Sequence, residues 1–516
     1  MEETAPETDV IIVGAGPSGL MLAGELRLGG ARVTVVEKLA QPTGQSRGLG
    51  FTARAMEVFD QRGLLPRFGQ GPSLPTSPMG HFGGVQFDYT VLEGAHFGAR
   101  GIPQYQTEQV LQEWALSLGA RIQRGWEFLE VADPAPQGDG IQATFATDQG
   151  VRTLHASYLV GCDGGRSTVR QGAGFDFPGM PATRAMFLAD VTGCDLRPRF
   201  LGEALPGGMV MAAPLGEGVD RIIVCPHGTP ARDGEQDITF GEVAQAWQHI
   251  TGEDISAGTA LWVSSFTDAT RQVTHYRRGR VLLAGDAAHI HLPAAGQGLS
   301  VGVQDAANLG WKLAAHLRGD APPGLLDSYH SERHAAGRRL LMNTRAQGMV
   351  FLGGKPADPL RELLTELIAY DDVKRHLAGI VSGLDIRYET GEGSHPLLGR
   401  RLADRALAGD GKETSTTALL HPARGVLLDL ADDPALRETA AAWTDRVSTT
   451  TAAPKPAHGP DPLQETAALL VRPDGYVAWA GDDQEGLKRA LHRWFGPPAA
   501  HKSAPRPART RAVRRR

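Results

Sequence analysis

The sequence predicts an α/β protein built on a Rossmann-like domain, with an inserted antiparallel-sheet domain and a separate C-terminal unit. Three stretches carry that expectation. Residues 9–37 read as strand, glycine turn, helix and strand. Residues 281–315 read as strand, acidic turn, glycine loop and helix, and between the two, from Phe175 to about Thr274, the pattern changes to short strands. A length of 516 residues is enough for about three domains. Hydrophobic and charged fractions of 41% and 21% are those of a soluble globular chain rather than a disordered one.

In chain order, Asp9 to Val13 is a buried strand followed directly by Gly14-Ala15-Gly16-Pro17-Ser18-Gly19. A helix from Leu20 to Leu28 closes on Gly29-Gly30, and a second strand, Ala31 to Val36, ends in Glu37. This is a dinucleotide fingerprint in its required context. The glycines permit a tight turn and a close approach of pyrophosphate to the helix N-terminus, and an acid at the second strand's end suits ribose hydroxyls. Gln45 to Gly50 precedes a helix from Thr52 to Arg62, and Arg47 there is read either as a phosphate partner or as a solvated surface residue. Gly44 to Gly48 matches Gly-x-Ser-x-Gly but lacks the strand-turn-helix setting of a nucleophile elbow.

From Leu74 to Gly98 the chain is irregular and aromatic (His81, Phe82, Phe87, Tyr89, Phe97), which fits either a lid over a pocket or ordinary strand core. A helix is expected from Gln106 to Leu118 with Thr107 as N-cap. Strands are expected near Arg121–Val131 and Ile141–Phe145, with Gly138-Asp139-Gly140 as the turn between them. Tyr158 to Gly161 is a strand that ends in Cys162-Asp163-Gly164-Gly165, followed by a short helix carrying Val169-Arg170. The inserted sheet is drawn from Arg184–Val191, Gly208–Ala213, Arg221–Val224 and Ala260–Phe266, with a helix near Phe240–Ile250.

Val281 to Ala284 is a short buried strand, and Gly285-Asp286 ends it with a carboxylate. Pro293, Gly296, Gly298 and Gly302 let the backbone approach a flat ligand before the chain turns helical through Gln304 to Leu313. Helices follow over Leu325–Arg333, Arg338–Phe351, Pro359–Tyr370 and Asp372–Val381; His330 and His334 are read as surface or packing residues. From about His395 a new unit begins. It has strands near Gly425–Leu430 and Ala467–Val471, a hairpin around Asp474-Gly475, loops at Thr414–Thr417 and Ala452–Pro462, and a last helix from Asp483 to Phe495.

Composition excludes several classes. No run of roughly 18 apolar residues appears, so no membrane span is expected. The acidic Met1–Asp9 lacks a signal-peptide layout, which leaves a cytoplasmic protein as the expectation. Cys162, Cys194 and Cys225 are too few and scattered for a disulfide framework or a zinc site, and no metal is expected. The net charge is −6 although seven Lys/Arg and no acid lie from Lys502 onward, so the body is acidic and no nucleic-acid partner is expected. The tail 498–516 reads as a disordered basic end.

Gly14 to Gly19, Asp163-Gly164 and Gly285-Asp286 occur together in the order and spacing of the single-component FAD-dependent aromatic hydroxylases typified by p-hydroxybenzoate hydroxylase. The resemblance covers about residues 8–390. GDAAHIHLPAAGQGLSVGVQDAANLGWKLA and DSYHSERHAAGRRLLMNTRAQGM look nearer still to the bacterial hydroxylases of aromatic, angucycline-type polyketides. The resemblance implies a division into 1–175 with 275–394 as FAD-binding domain (75–98 falling there or in the substrate domain), 176–274 as substrate-binding sheet, and 395–497 as a thioredoxin-like domain. That last domain has no cysteine for dithiol chemistry.

The resemblance also implies site roles. Gly14, Gly16, Pro17, Ser18 and Gly19 would hold the pyrophosphate of a non-covalent FAD, with Glu37 and Lys38 at the adenosine ribose. Arg47 and Gln104 would reach the pyrophosphate and ribityl region. Asp163 would anchor a motif serving FAD and NADPH, and Gly285 and Asp286 would meet the ribityl chain. Pro293, Gly296, Gly298, Leu299 and Ser300 would line the isoalloxazine. Arg47, Pro293 and Gly296 are the flavin-lining residues nearest the chemistry, and no acid–base residue is identifiable. Ser300 stands where many relatives have Asn, and Cys162 where many have Ala.

The implied reaction is flavin reduction by NADPH as co-substrate, O2 addition to a C4a-hydroperoxide, and oxygen transfer to a phenolic carbon of a polycyclic aromatic polyketide. A monomer or homodimer is expected. Baeyer–Villiger oxygenation of a polyketide ketone and a non-catalytic polyketide-binding flavoprotein share the same motifs. A flavin halogenase would need a Trp-x-Trp-x-Ile motif, which is absent.

Overall fold

The computed structural model describes residues 8–69, 76–92, 98–132, 140–231, 238–409, 412–456 and 461–499. Phe97, Gly138-Asp139 and the basic tail from 500 onward lie outside them. At the centre is a six-stranded sheet in the order Arg277–Arg278, Val281–Leu283, Tyr158–Gly161, Val10–Val13, Val33–Glu37 and Arg121–Arg124. Its pairings are parallel except at the Arg277–Arg278 edge. Val10, Ile11, Ile12, Leu282 and Leu283 are wholly buried, as strands covered on both faces require. Helices Pro17–Leu28 and Gln297–Arg318 pack on this sheet and on each other.

The inserted unit is a five-stranded antiparallel sheet ordered Arg199–Leu205, Gly208–Gly216, Val219–Pro226, Ala185–Thr192 and Thr259–Thr267. Side-chain alternation gives it two apolar faces. Phe187, Ala189 and Val191 pack on helix Phe240–Thr251 through the buried Trp247. Met186 and Met209 face the other way, toward Leu292 and Leu352. That helix opens on a Thr239–Glu242 capping box and closes on Gly252 in the left-handed region. The aromatic stretch forms the hairpin Met79–Phe82 with Val85–Asp88; its Phe82 and Phe87, and Tyr89 in the turn that follows, are buried against Ile368, Ala378 and Val381.

In the C-terminal unit a four-stranded sheet runs Val447–Thr451, Gly425–Asp429, Ala468–Val471, Val477–Gly481, the first pairing parallel and the others antiparallel. Helix Gln484–Phe495 packs on it, with the Asp483 side chain accepting from the Glu485 and Gly486 N–H groups as N-cap.

Several expectations need correction. Helix Gln104–Ser117 starts after Pro103, and Thr107 is not its N-cap but an interior residue whose hydroxyl donates to the Pro103 carbonyl. Pro103 has no N–H to satisfy and sits extended at the boundary. Thr414–Thr417 is not simply a loop: Lys412–Ser415 is a strand paired with Ala406–Gly409. The long helix begins at Gln297, inside the glycine run and well before Gln304, because packing there outweighs glycine's poor helix propensity. Residues 327–351 form one unbroken helix, Asp327–Phe351.

Candidate functional site

Three parallel strands end together and their following turns meet. Val36 accepts from the Gly14 N–H (2.8 Å), Val13 from the Cys162 N–H (2.7 Å) and Gly161 from the Ala284 N–H (3.0 Å). The turns after these strands are Gly14–Gly19, Cys162–Gly164 and Gly285–Asp286, three of the segments singled out from the sequence. Ser18 wedges between two of the elements. A Cβ at Gly285 would come within 2.6 Å of its Oγ, and one at Gly302 within 2.2 Å, so only glycine allows this crossing.

Two helices point their N-termini into the same region. Pro17–Leu28 has Gly16 as N-cap and Gln297–Arg318 has Gly296, and neither cap offers a side chain to the orphan N–H groups. A Cβ on either glycine would meet nothing within 4 Å. An uncapped helix start beside open space suits an anionic or carbonyl-bearing ligand, and two of them suit the two ends of a flavin dinucleotide.

The remaining predicted residues surround these ends. Glu37 accepts from the Ala15 N–H (2.9 Å) and the Leu39 N–H (3.0 Å), keeping further lone pairs for ribose hydroxyls, with Lys38 exposed next to it. Gln104 is engaged with the protein itself: its Oε1 accepts from the Gly48 N–H at 3.3 Å and its Nε2 donates to Glu108 at 2.8 Å. A Cβ on Gly48 would lie 2.3 Å from Leu299, so the exposed Arg47 is carried to the start of the long helix. The Ser300 hydroxyl is buried and accepts from the Thr52 N–H at 2.9 Å, which leaves its backbone, not its side chain, for a ligand.

Pro293 is exposed, and Ala295 beyond it holds a left-handed φ of 53° before Gly296 at 65°. Gly298 packs beside the His291 ring. The His291 Nδ1 lies 2.7 Å from the Leu292 carbonyl, and burial drops its pKa to about 4.

The two acids differ. Asp163 spends its oxygens on the Ser167 hydroxyl (2.5 Å) and the Val169 N–H (3.0 Å), so it organises the turn and the short helix Thr168–Gly172; burial raises its pKa despite those bonds. Asp286 is open to solvent yet surrounded by protein, the position of a carboxylate on a cleft floor. Desolvation raises its pKa, while the nearby charges of His289 and Arg47 pull it down and Asp305 adds to the rise.

Sequence reasoning passed over what lies beneath Asp286. Asp305, fully buried, accepts from the Gly285 N–H at 3.1 Å, lies 2.8 Å from His289 Nε2, and accepts from Arg333 Nε at 2.6 Å. Burial works against the Asp305 charge, but Arg333 and His289 more than offset it and hold its pKa below the usual carboxylate range. The available signal was an acid and an amide, Gln304-Asp305, amid small apolar residues on a helix. Among the described residues no cluster of three or more His, Cys, Asp or Glu could hold a metal.

Parallel strands ending in glycine and acid turns, two uncapped helix starts and an exposed carboxylate define a dinucleotide-binding α/β protein with an inserted antiparallel sheet beside it. The comparisons with known proteins agree. The FAD binding domain family matches residues 7–344, and the C-terminal domain of aromatic-ring hydroxylases matches residues 395–498. The chain belongs to the FAD-dependent aromatic-ring hydroxylases and is a monooxygenase of that class.

It is 42% identical over 505 residues to the 12-dehydrotetracycline 5-monooxygenase/anhydrotetracycline 6-monooxygenase of Streptomyces rimosus, covering 95% of this chain and 99% of that one. It is also 42% identical over 496 residues to a rifampicin monooxygenase of Streptomyces venezuelae, covering 95% and 98%. The crystal structure of CabE, an aromatic hydroxylase from angucycline biosynthesis, superposes with a TM-score of 0.91 at 60% identity, covering 96% of this chain and all of that one.

Proposed function

We propose that this monooxygenase uses NADPH and O2 to hydroxylate a polycyclic aromatic polyketide in antibiotic biosynthesis. The observation that carries the reading is the junction of the inserted sheet with the Pro293 loop. Met186, Met209 and Met211 on the sheet gather with Leu292 and Ala294 on the loop and with Phe351 and Leu352 at the end of helix Asp327–Phe351. An adaptable, methionine-rich apolar wall beside a flavin-binding loop suits a broad, flat, hydrophobic substrate. The names of the relatives, which act on tetracycline-type rings or belong to angucycline biosynthesis, support the same substrate class.

When bound, FAD supplies hydride acceptance from NADPH and activation of O2. The chain's own residues hold and shield it. The Gly14–Gly19 turn and the Pro17–Leu28 helix start receive the pyrophosphate, Glu37 the ribose, and Asp286 a ribityl hydroxyl, while Arg47 balances phosphate charge. The N–H groups of the first turn after Gly296, at the uncapped start of helix Gln297–Arg318, would hold the isoalloxazine. Residues 1–175 with 275–394 then serve the cofactor, 176–274 the substrate, and 395–497 a structural role.

An anaerobic stopped-flow mix of the flavin-loaded protein with NADPH, with and without a panel of angucyclinone-like phenols, tests this. Flavin bleaching accelerated by at least one phenol, followed by a product one oxygen heavier on a ring carbon, is expected. A flavin that stays oxidised with every phenol, or oxygen inserted beside a ketone, would overturn it.

A further inference from the structure

A continuous run of buried contacts leads from the Asp286 turn to the C-terminal unit. Asp305 grips both ends of that turn, at the Gly285 N–H and at His289. Its other oxygen is held by Arg333 Nε. Arg333 is wholly buried and sends Nη1 to the Tyr388 hydroxyl at 2.9 Å and Nη2 to the Val301 carbonyl at 3.4 Å. Tyr388 in turn is fastened to the C-terminal unit: its N–H donates to the Gly399 carbonyl at 2.8 Å, and its ring lies 4.3 Å from that of Tyr476.

We propose that Tyr388 is a positioning residue for the cofactor site: through Arg333 and Asp305 it makes the C-terminal unit hold the Gly285-Asp286 turn in the shape that receives FAD. The inference rests on the FAD reading of that turn. A guanidinium is a rigid planar fork, so fixing one arm fixes the direction of the others. With the Tyr388 acceptor removed, Nη1 loses its protein partner in a wholly buried site, and Arg333 rotates to find another. Asp305 then loses its orientation, and with it the Gly285 N–H and His289, the two groups that flank Asp286. The C-terminal unit, without dithiol chemistry, thereby acts on the cofactor at a distance.

Tyr388→Phe tests this against Tyr476→Phe. The control removes an equally buried hydroxyl from the same ring pair, but one that engages Arg54 and not Arg333. FAD is titrated into deflavinated protein, the absorption spectrum of the bound flavin is recorded, and thermal unfolding of both apoproteins is compared. Tyr388→Phe is expected to raise the FAD Kd about tenfold and to shift the flavin spectrum, as loss of a hydrogen bond to a charged group predicts. Tyr476→Phe is expected to leave both within about twofold. Equal losses of FAD affinity in the two variants, or none in Tyr388→Phe, would overturn the positioning role. Wild-type protein that binds no FAD would instead overturn the reading of the turn itself.

Discussion

Gly16 and Gly19 share one turn and do different work. A Cβ at Gly19 would sit 2.0 Å from the Gly14 carbonyl oxygen, so the turn itself has no room for it. At Gly16 nothing lies within 4 Å, and the same methyl group would stand in open space, where the proposed function puts the pyrophosphate. Gly19→Ala is therefore expected to cost roughly 3 kcal/mol of apoprotein stability by forcing the backbone apart. Gly16→Ala should leave apoprotein melting within about 2 °C of wild type while weakening FAD binding by at least about tenfold. Thermal unfolding of the apoproteins and a flavin fluorescence titration read the two effects separately; Gly16→Ala with unchanged FAD affinity would place the pyrophosphate elsewhere. At this scale the sequence was most informative where the backbone admits one residue type, as at Gly14 and Gly19, whose Cβ atoms would come within 2.4 and 2.0 Å of carbonyl oxygens. It was least informative about the hydrogen bonds that polar side chains make within the protein. Gln104 holds Gly48, Ser300 holds Thr52 and Asp163 caps its own turn, and no local pattern distinguishes those uses from ligand binding.

Elements with a clean period or a turn signal were legible: strand Val10–Val13, helix Phe240–Thr251 and the hairpin at Asp474-Gly475 all stand where residue pattern puts them. Those that depend on a distant neighbour were not. Arg199–Leu205 is a largely half-exposed, bulged strand at the edge of its sheet, and Val447–Thr451 is a serine- and threonine-rich strand held by parallel pairing with Gly425–Asp429. The segment from His289 to Gly298 is the clearest case, because it is anchored by the burial of His289, Leu292 and Gln297 rather than by propensity. That burial has a pH signature. The unfolded chain takes up a proton at His291 near pH 6.5, whereas the folded chain resists it until about pH 4. The unfolded state therefore binds more protons between those limits, and stability falls as pH is lowered from 6.5 toward 4 and is unaffected by this group above 6.5. His81 shifts in the same direction, so the measurement is a difference. Between pH 7 and pH 5, wild-type apoprotein should lose about 1–2 kcal/mol more than His291→Asn in denaturant titrations. Parallel losses in both proteins would show that the ring is hydrated in the fold.

At the scale of the whole molecule, the C-terminal unit is joined to the cofactor-binding body by buried ions rather than by a loose linker. Arg472 holds Glu332 through both nitrogens (2.6 and 2.9 Å) and also pairs with Asp474, while Lys312 reaches Glu332 at 2.8 Å. Arg62 pairs with Glu25 and donates to the Leu420 and Pro473 carbonyls, and Arg401 pairs with Glu57 at 2.6 Å. None of this was legible in sequence, since Arg472 and Glu332 lie 140 positions apart and each reads alone as a surface charge. Burial opposes the Glu332 charge, yet Arg472 and Lys312 hold its pKa far below the usual carboxylate range, so its contribution is present above about pH 4.5 and lost as pH falls through the folded value. Such a network stabilises only while complete. Arg472→Met leaves Glu332 with Lys312 as its cation and joined to Asp474 only through the neutral Asn308 amide, which donates to both acids at 2.6 and 3.1 Å, and is expected to cost about 3–5 kcal/mol. Adding Glu332→Gln removes one of the stranded charges and should recover a large part of that loss, a coupling that a double-mutant cycle in denaturant reads directly. Additive losses would mean that water reaches the interface and screens the pair, and the two units would then be expected to unfold in separate transitions.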